Sequence, residues 1–252
     1  MAAPDPARLP AARAALRKAG VEVLLEDNHL LVVSKRAGLL SQADGSGDDD
    51  LVAVLGAYRQ QAEGKAGAAF VGLVHRLDRN VSGVVLCAKT SKAAARLAAL
   101  FRERDASLEK HYLAWVVGVP ATDEGRLEGR LARSGRTTRP AAPGEEDDAG
   151  RPAVLDFALR GRGPRAARLA VRLHTGVTHQ VRAQLSAAGH PLHGDPKYGG
   201  PAGARVALHA WRLVFPHPVG GARQEATAPV PAALRALDRR LRLQPPVTTR
   251  GG

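Results

Sequence analysis

Residues 74–89 read VHRLDRNVSGVVLCAK, a short polar turn followed by an apolar run, and this stretch decides the fold. VVLCAK has the make-up of a buried strand, and VGLV (71–74) just before the turn is a second short apolar strand. Asp78 therefore lies in a connection between two strands near a sheet edge, where catalytic groups are often mounted. Arg76 and Arg79 flank it. Cations beside a carboxyl favour its ionised form, which suits a nucleophile, a base or an electrostatic stabiliser and disfavours a general acid. An aspartate before a Ser-Gly turn also serves simply to cap the loop, and composition alone does not separate the two.

Working outward, VEVLLEDNHLLVVSKRAGLL (21–40) predicts two strands around the acidic turn Glu26-Asp27-Asn28. LVAVLGAYRQQAE (51–63) has helical spacing, and Asp48, Asp49 and Asp50 before it read as an acidic first turn favoured by the helix dipole rather than a metal site. A helix over 91–105 is capped by Ser91 or Thr90. Strands are expected at YLAWVVG, AVLDFAL, ARLAVRLHT and RVALHAWRLVF, and helices at THQVRAQLSAAG, stopped by Gly189, and APVPAALRALDRRL. Strands and helices mix without regular βαβ alternation, which predicts an α+β fold on a mixed, largely antiparallel sheet flanked by helices. Prolines 4, 6 and 10 confine any helix in residues 7–19, so 1–20 reads as an N-terminal extension with order beginning near Val21. One domain is expected over 21–243, with a mobile surface loop at 132–152 and a flexible tail at 244–252.

The chain has 252 residues, 44% of them hydrophobic, enough for one large or two small cored domains. No apolar run approaches the roughly 20 residues that cross a bilayer, so the expectation is a cytoplasmic protein without membrane partners. Its single cysteine, Cys87, reads as a buried structural thiol. A formal net charge of +13 points to a polyanionic partner, nucleic acid first, although an arginine-rich, alanine-rich composition also follows from a GC-rich genome. There is no internal repeat, Walker loop, GxGxxG after a strand or CxxC pair.

Two further constellations bear chemistry. HTGVTHQVRAQL (174–185) places Arg182 in the first turns of a helix, off the apolar face of Val181 and Leu185. Held there, it can form a bidentate pair with a carboxylate from elsewhere, or simply remain solvated. His174, His179, His190 and His193 match no zinc spacing. Tyr112 stands beside Lys110 and His111 where a charged segment becomes a strand; a ring there either stacks on an unpaired base or belongs to the core.

Together these segments resemble the RluA-type pseudouridine synthase family. VHRLDRNVSGVVLCAK is similar to its active-site signature, EDNHLLVVSKRAGLL to its N-terminal strand pair, EKHYLAWVVGVP to its tyrosine segment, HTGVTHQVRAQLSAAGHPLHGDPKYG to its Gly-x-x-His-Gln-x-Arg block, and RVALHAWRLVFPHPV to its closing strand. The resemblance spans about residues 21–235 and implies the pseudouridine synthase fold in a single catalytic domain. It implies Asp78 as the catalytic aspartate, Tyr112 as the ring packing on the target base, and Arg182 as the salt-bridge partner of Asp78. Arg76 would help displace the target from its stack, with His75, Arg79, Lys110, His179 and Gln180 as further RNA contacts. The implied reaction turns uridine in ribosomal or transfer RNA into pseudouridine with no cofactor and no metal, by a monomer. Such chemistry requires extruding the nucleotide, at a cost of a few kcal/mol, and a cation plus a ring offsets part of it. Residues before Val21 leave no room for the small separate RNA-binding domain of many relatives. Three departures stand out: Arg36 where a proline is usual, which predicts a less rigid loop; Asn80-Val81 for a frequent Asp-Thr; and Val177 for a common basic residue, which bears on RNA choice. They leave a second reading, an RNA-binding or RNA-folding protein on the same fold that no longer turns over.

Overall fold

The computed structural model describes residues 4–64, 66–135, 137–141 and 150–245. The stretch read as one domain divides into two compact units, Met1–Leu108 with Ala210–Pro229, and Glu109–His209 with Val230–Gly252.

The first unit begins earlier than the sequence suggested. α1 (Leu9–Lys18) falls within residues 7–19, with Pro10 in its first turn, where a missing N–H costs nothing. It buries Ala12 and Leu16, and Asp5 N donates to Ala62 O at 2.8 Å. β1 (Val21–Glu26) and β2 (Leu30–Lys35) pair antiparallel. Their turn is closed by Asp27, whose Oδ1 accepts from His29 N at 2.6 Å and Leu30 N at 2.7 Å. α2 (Leu51–Glu63) is capped by Asp50, which accepts from Ala53 N. β3 (Gly72–Leu73) and β2 both pair antiparallel with β4 (Ser82–Ala88), whose seven residues are all buried, as a strand covered on both faces requires. α3 (Ser91–Glu103) takes Thr90 rather than Ser91 as its cap. β10 (Leu208–Pro216), which enters this unit at Ala210, lies next to β4 and pairs with β11 (Arg223–Thr227). Leu30, Val32, Leu86, Leu97 and Phe215 form the core. Burial pushes the Cys87 thiol up to about 12, so it behaves as packing and not as a nucleophile.

The second unit is an antiparallel sheet in the order β5-β9-β8-β6-β7, formed by β5 (Glu109–Val117), β6 (Glu124–Ser134), β7 (Thr137–Pro140), β8 (Arg151–Arg162) and β9 (Ala166–Leu173). Much of the stretch 132–152, expected to be a loop, is therefore strand: β7 returns along β6 after a turn at Gly135, with Ala132 opposite Arg139. The β-branched pair Thr137-Thr138 favours this, and residues 142–149 of that stretch lie outside the described residues. α4 (Gln180–Ala187) packs Ala183 on Leu131 and Ala153, and α5 (Ala232–Arg240) packs Leu234 and Leu237 on Trp115. Trp115 Nε1 donates to Asp238 at 2.6 Å, and Arg168 pairs with the same carboxylate. Gln244, assigned to the tail, exchanges backbone bonds with Arg162 at 2.8 and 2.9 Å; residues 246–252 lie outside the described residues. The fold is α+β, with antiparallel pairing of β5 with β9, β6 with β8 and β8 with β9 and a parallel bridge between Leu40 and Asp50.

Candidate active site

In the first unit Asp78 is half-buried in the connection from β3 to β4. A buried ammonium holds that connection. Lys35, fully buried at the end of β2, donates to Leu39 O at 2.7 Å, Arg36 O at 3.1 Å, Arg79 O at 3.3 Å and Asp78 O at 3.5 Å. Four carbonyl dipoles help to satisfy the buried charge. Ser41 adds a second clamp: its hydroxyl donates to Leu77 O at 2.7 Å and accepts from Leu77 N at 3.2 Å. The turn closes through Val81 N to Asp78 O at 3.0 Å, and Gly38 N binds Arg79 O at 2.7 Å. Gly83 follows at φ 129°, and a Cβ there would sit 2.1 Å from Ala210 O, so the Ser-Gly pair is set by the passage of β10.

The flanking residues divide by role. Arg76 is exposed. Arg79 is also exposed, pairing with Asp48 at 2.8 Å and donating to Gly38 O at 3.2 Å. His75, expected as an RNA contact, also braces the loop: its Nε2 accepts from Leu86 N at 3.0 Å and its ring stacks on Phe101 with centroids 4.6 Å apart. The loop carrying Arg36, expected to be less rigid without proline, is tied down. Arg36 N donates to Gly20 O at 3.0 Å, a bond proline cannot make, and its Nε donates to Ala19 O at 2.9 Å.

In the second unit Tyr112 is half-buried on β5 opposite Val171, on the same strand face as Lys110, whose ammonium donates to Thr175 O at 2.7 Å. An open cleft of about 590 Å³ lies on this sheet, lined among others by His111, Asp156 and Arg172. Those three occupy matching register positions and, by strand alternation, the face opposite Tyr112.

Arg182 is not solvated. α4 is buried at every position from Gln180 to Leu185, and Arg182 is only 7% exposed. It makes a bidentate pair with Asp195, Nε to Oδ2 and Nη2 to Oδ1, both at 2.7 Å, and its guanidinium lies 4.7 Å from the centre of the Tyr198 ring. The Tyr198 hydroxyl accepts from Thr138 N at 2.9 Å and meets His179 Nδ1 at 2.8 Å. His179 enters α4 in the left-handed region, φ 57°. Gln180, expected at RNA, is 2% exposed and its amide is fully used inside the protein. Nε2 donates to Val154 O and Gln184 Oε1, while Oε1 accepts from Thr175 Oγ1 and Val177 N. Val177, in place of a basic residue, packs against the Leu131, Ala153 and Tyr198 cluster.

A family model described as RNA pseudouridylate synthase matches residues 29–187. The chain belongs to that family. The synthase is 38% identical over 230 residues to the ribosomal large subunit pseudouridine synthase D of Zymomonas mobilis, covering 86% of this chain and 71% of the relative. It is 38% identical over 238 residues to the protein of that name from Xanthomonas campestris, covering 88% and 70%. An uncharacterized RNA pseudouridine synthase of Bacillus subtilis is 34% identical over 225 residues, covering 87% and 72%. Among solved structures, human RNA pseudouridylate synthase domain containing 4 superposes with a TM-score of 0.77 at 23% identity, covering 94% of this chain and 98% of that one, and shows the same fold. The protein is therefore an enzyme that isomerises uridine in RNA to pseudouridine.

Sequence reasoning missed three side chains that contact the candidate residues. Lys35 ends a strand that opens with four apolar residues, and a lysine in that position was the available signal. Asp195 and Tyr198 sit in the glycine-flanked GDPKYG, where an acid in a tight turn could have been paired with the buried arginine.

Proposed function

We propose that the synthase acts on ribosomal RNA of the large subunit, with Asp78 as the catalytic carboxylate, Tyr112 as the ring that packs on the uracil and Arg182 as the cation that serves Asp78. The observation that carries the substrate is that relatives from Zymomonas, Xanthomonas and Pseudomonas, 34–38% identical, are named ribosomal large subunit pseudouridine synthase D. Support for Asp78 comes from its setting: an acid whose backbone is pinned by Lys35 and Ser41 meets a ribose in one orientation, and a fixed approach supplies much of a barrier reduction. The Asp78 carboxylate attacks the sugar, or accepts a proton from it, as the N-glycosidic bond breaks. The freed uracil turns, and its carbon 5 bonds to the sugar carbon as Asp78 is released or returns the proton. Carbon 5 then gives up its hydrogen to solvent while N1 ends protonated. Arg76 is available to the RNA backbone at the same loop. No helix among the described residues is long and apolar enough to cross a membrane.

Ribosomal RNA carrying tritium at uracil carbon 5 tests the reading. The wild-type protein releases tritium, Asp78→Ala releases none while still binding RNA, and large-subunit uridines lose their modification in a strain lacking the chain. Tritium release undiminished in Asp78→Ala, or loss of modification only in transfer RNA, overturns the assignment concerned.

A further inference from the structure

Arg182 is held far more firmly than a surface arginine, and the segment His193–Gly200 is built to hold it. Gly194 has φ 74°, and a Cβ there would lie 1.8 Å from Arg205 O; a Cβ at Gly200 would lie 1.9 Å from Leu192 O. The backbone is folded too tightly for side chains at either point. Asp195 O accepts from Tyr198 N at 3.0 Å and Gly200 N at 2.9 Å, and Ser186 Oγ donates to Tyr198 O at 2.7 Å, docking the turn on α4. Asp195, 1% exposed, is thereby presented to Arg182 by a rigid turn.

The carboxylate and the ring fix different motions of Arg182. A two-point carboxylate sets the direction of the guanidinium within its own plane, and the Tyr198 ring at 4.7 Å limits its tilt out of that plane. The ring is itself anchored, through its hydroxyl, to β7 at Thr138.

We propose that Asp195 and Tyr198 are positioning residues for the isomerisation, acting through Arg182. This rests on the reading of Arg182 as the cation that serves the catalytic carboxylate. The carboxylate supplies orientation and offsets the charge of a buried cation, so that Arg182 meets the reaction as a directed hydrogen-bond donor already in its working pose. Catalysis is sensitive to such pre-organisation: a displacement of about 1 Å in a supporting group can cost on the order of 100-fold in rate.

The experiment is single-turnover tritium release at saturating RNA, with RNA affinity and thermal unfolding measured on the same full-length variants. Asp195→Asn is expected to slow the rate by roughly 100-fold with RNA affinity within about 3-fold of wild type. Tyr198→Leu is expected to slow it by about 10-fold, and Tyr198→Phe, which keeps the ring, to recover most of that loss. In an Arg182→Lys background, Asp195→Asn should cost little more, because its effect passes through the guanidinium. Full additivity in that double variant, or normal turnover by folded Asp195→Asn and Tyr198→Leu proteins while Arg182→Lys is crippled, overturns the positioning role alone. If Asp195→Asn does not fold, the comparison of Tyr198→Leu with Tyr198→Phe decides. Unchanged turnover by Arg182→Lys removes the reading of Arg182, and the inference with it.

Discussion

Lys35 shows how one residue can matter without touching substrate. Its buried ammonium donates to four backbone carbonyls, two of them at Asp78 and Arg79. Lys35→Met keeps the shape and removes the donors that tie these carbonyls together, although Asp78 O and Arg79 O keep their bonds from Val81 N and Gly38 N. The expected loss is about 2–4 kcal/mol in stability, seen in denaturant unfolding, together with slower turnover because the Asp78 loop loses its anchor. Arg36 makes the complementary point. It departs from a family proline yet gains a backbone bond to Gly20 and a side-chain bond to Ala19, so rigidity of the same loop comes from hydrogen bonds instead of a ring.

At the scale of elements, α2 and β4 are joined by a buried charge network. Lys89 meets Glu26 at 3.0 Å and Glu63 at 3.4 Å, Arg59 meets Glu63 at 2.8 Å, and the Tyr58 hydroxyl donates to Glu26 at 2.6 Å. Burial, then the bond to Glu26 and its charge, push Tyr58 up to about 12, whereas tyrosine in an unfolded chain titrates near ~10. The folded protein keeps its proton where the unfolded chain releases it. The contribution is complete below about pH 10 and is lost as pH rises through about 12. Denaturant midpoints compared at about pH 9 and about pH 11.5 should fall in the wild type and fall less in Tyr58→Phe. Elements with a clear period, such as α2 and β9, could be read from the sequence almost to the residue, whereas β7 could not, because Gly, Pro and charge hid a four-residue strand.

For the whole molecule, a net charge of +13 governs how RNA is met. Phosphate contacts release counterions, so affinity should fall steeply between about 50 and 200 mM salt. Arg76 is exposed beside Asp78, and Arg76→Ala should lower the slope of log affinity against log salt by about one while weakening binding across RNA sequences. Titrations at several salt concentrations measure this, and an unchanged slope would remove Arg76 from the RNA contacts.

The sequence by itself determined the elements with a clear period, the turn that carries Asp78 and the family to which the chain belongs, because each of these is written in a continuous window of residues. Tertiary structure decided which polar residues serve the site from within. It buried Gln180 in a network of internal bonds, gave His75 a bond to β4, buried Arg182 against Asp195 and Tyr198, and brought Lys35 to a carbonyl 44 positions away at Arg79. The reason is physical: a buried charge or amide must find partners wherever the folded chain supplies them, and no local pattern records which distant group that will be.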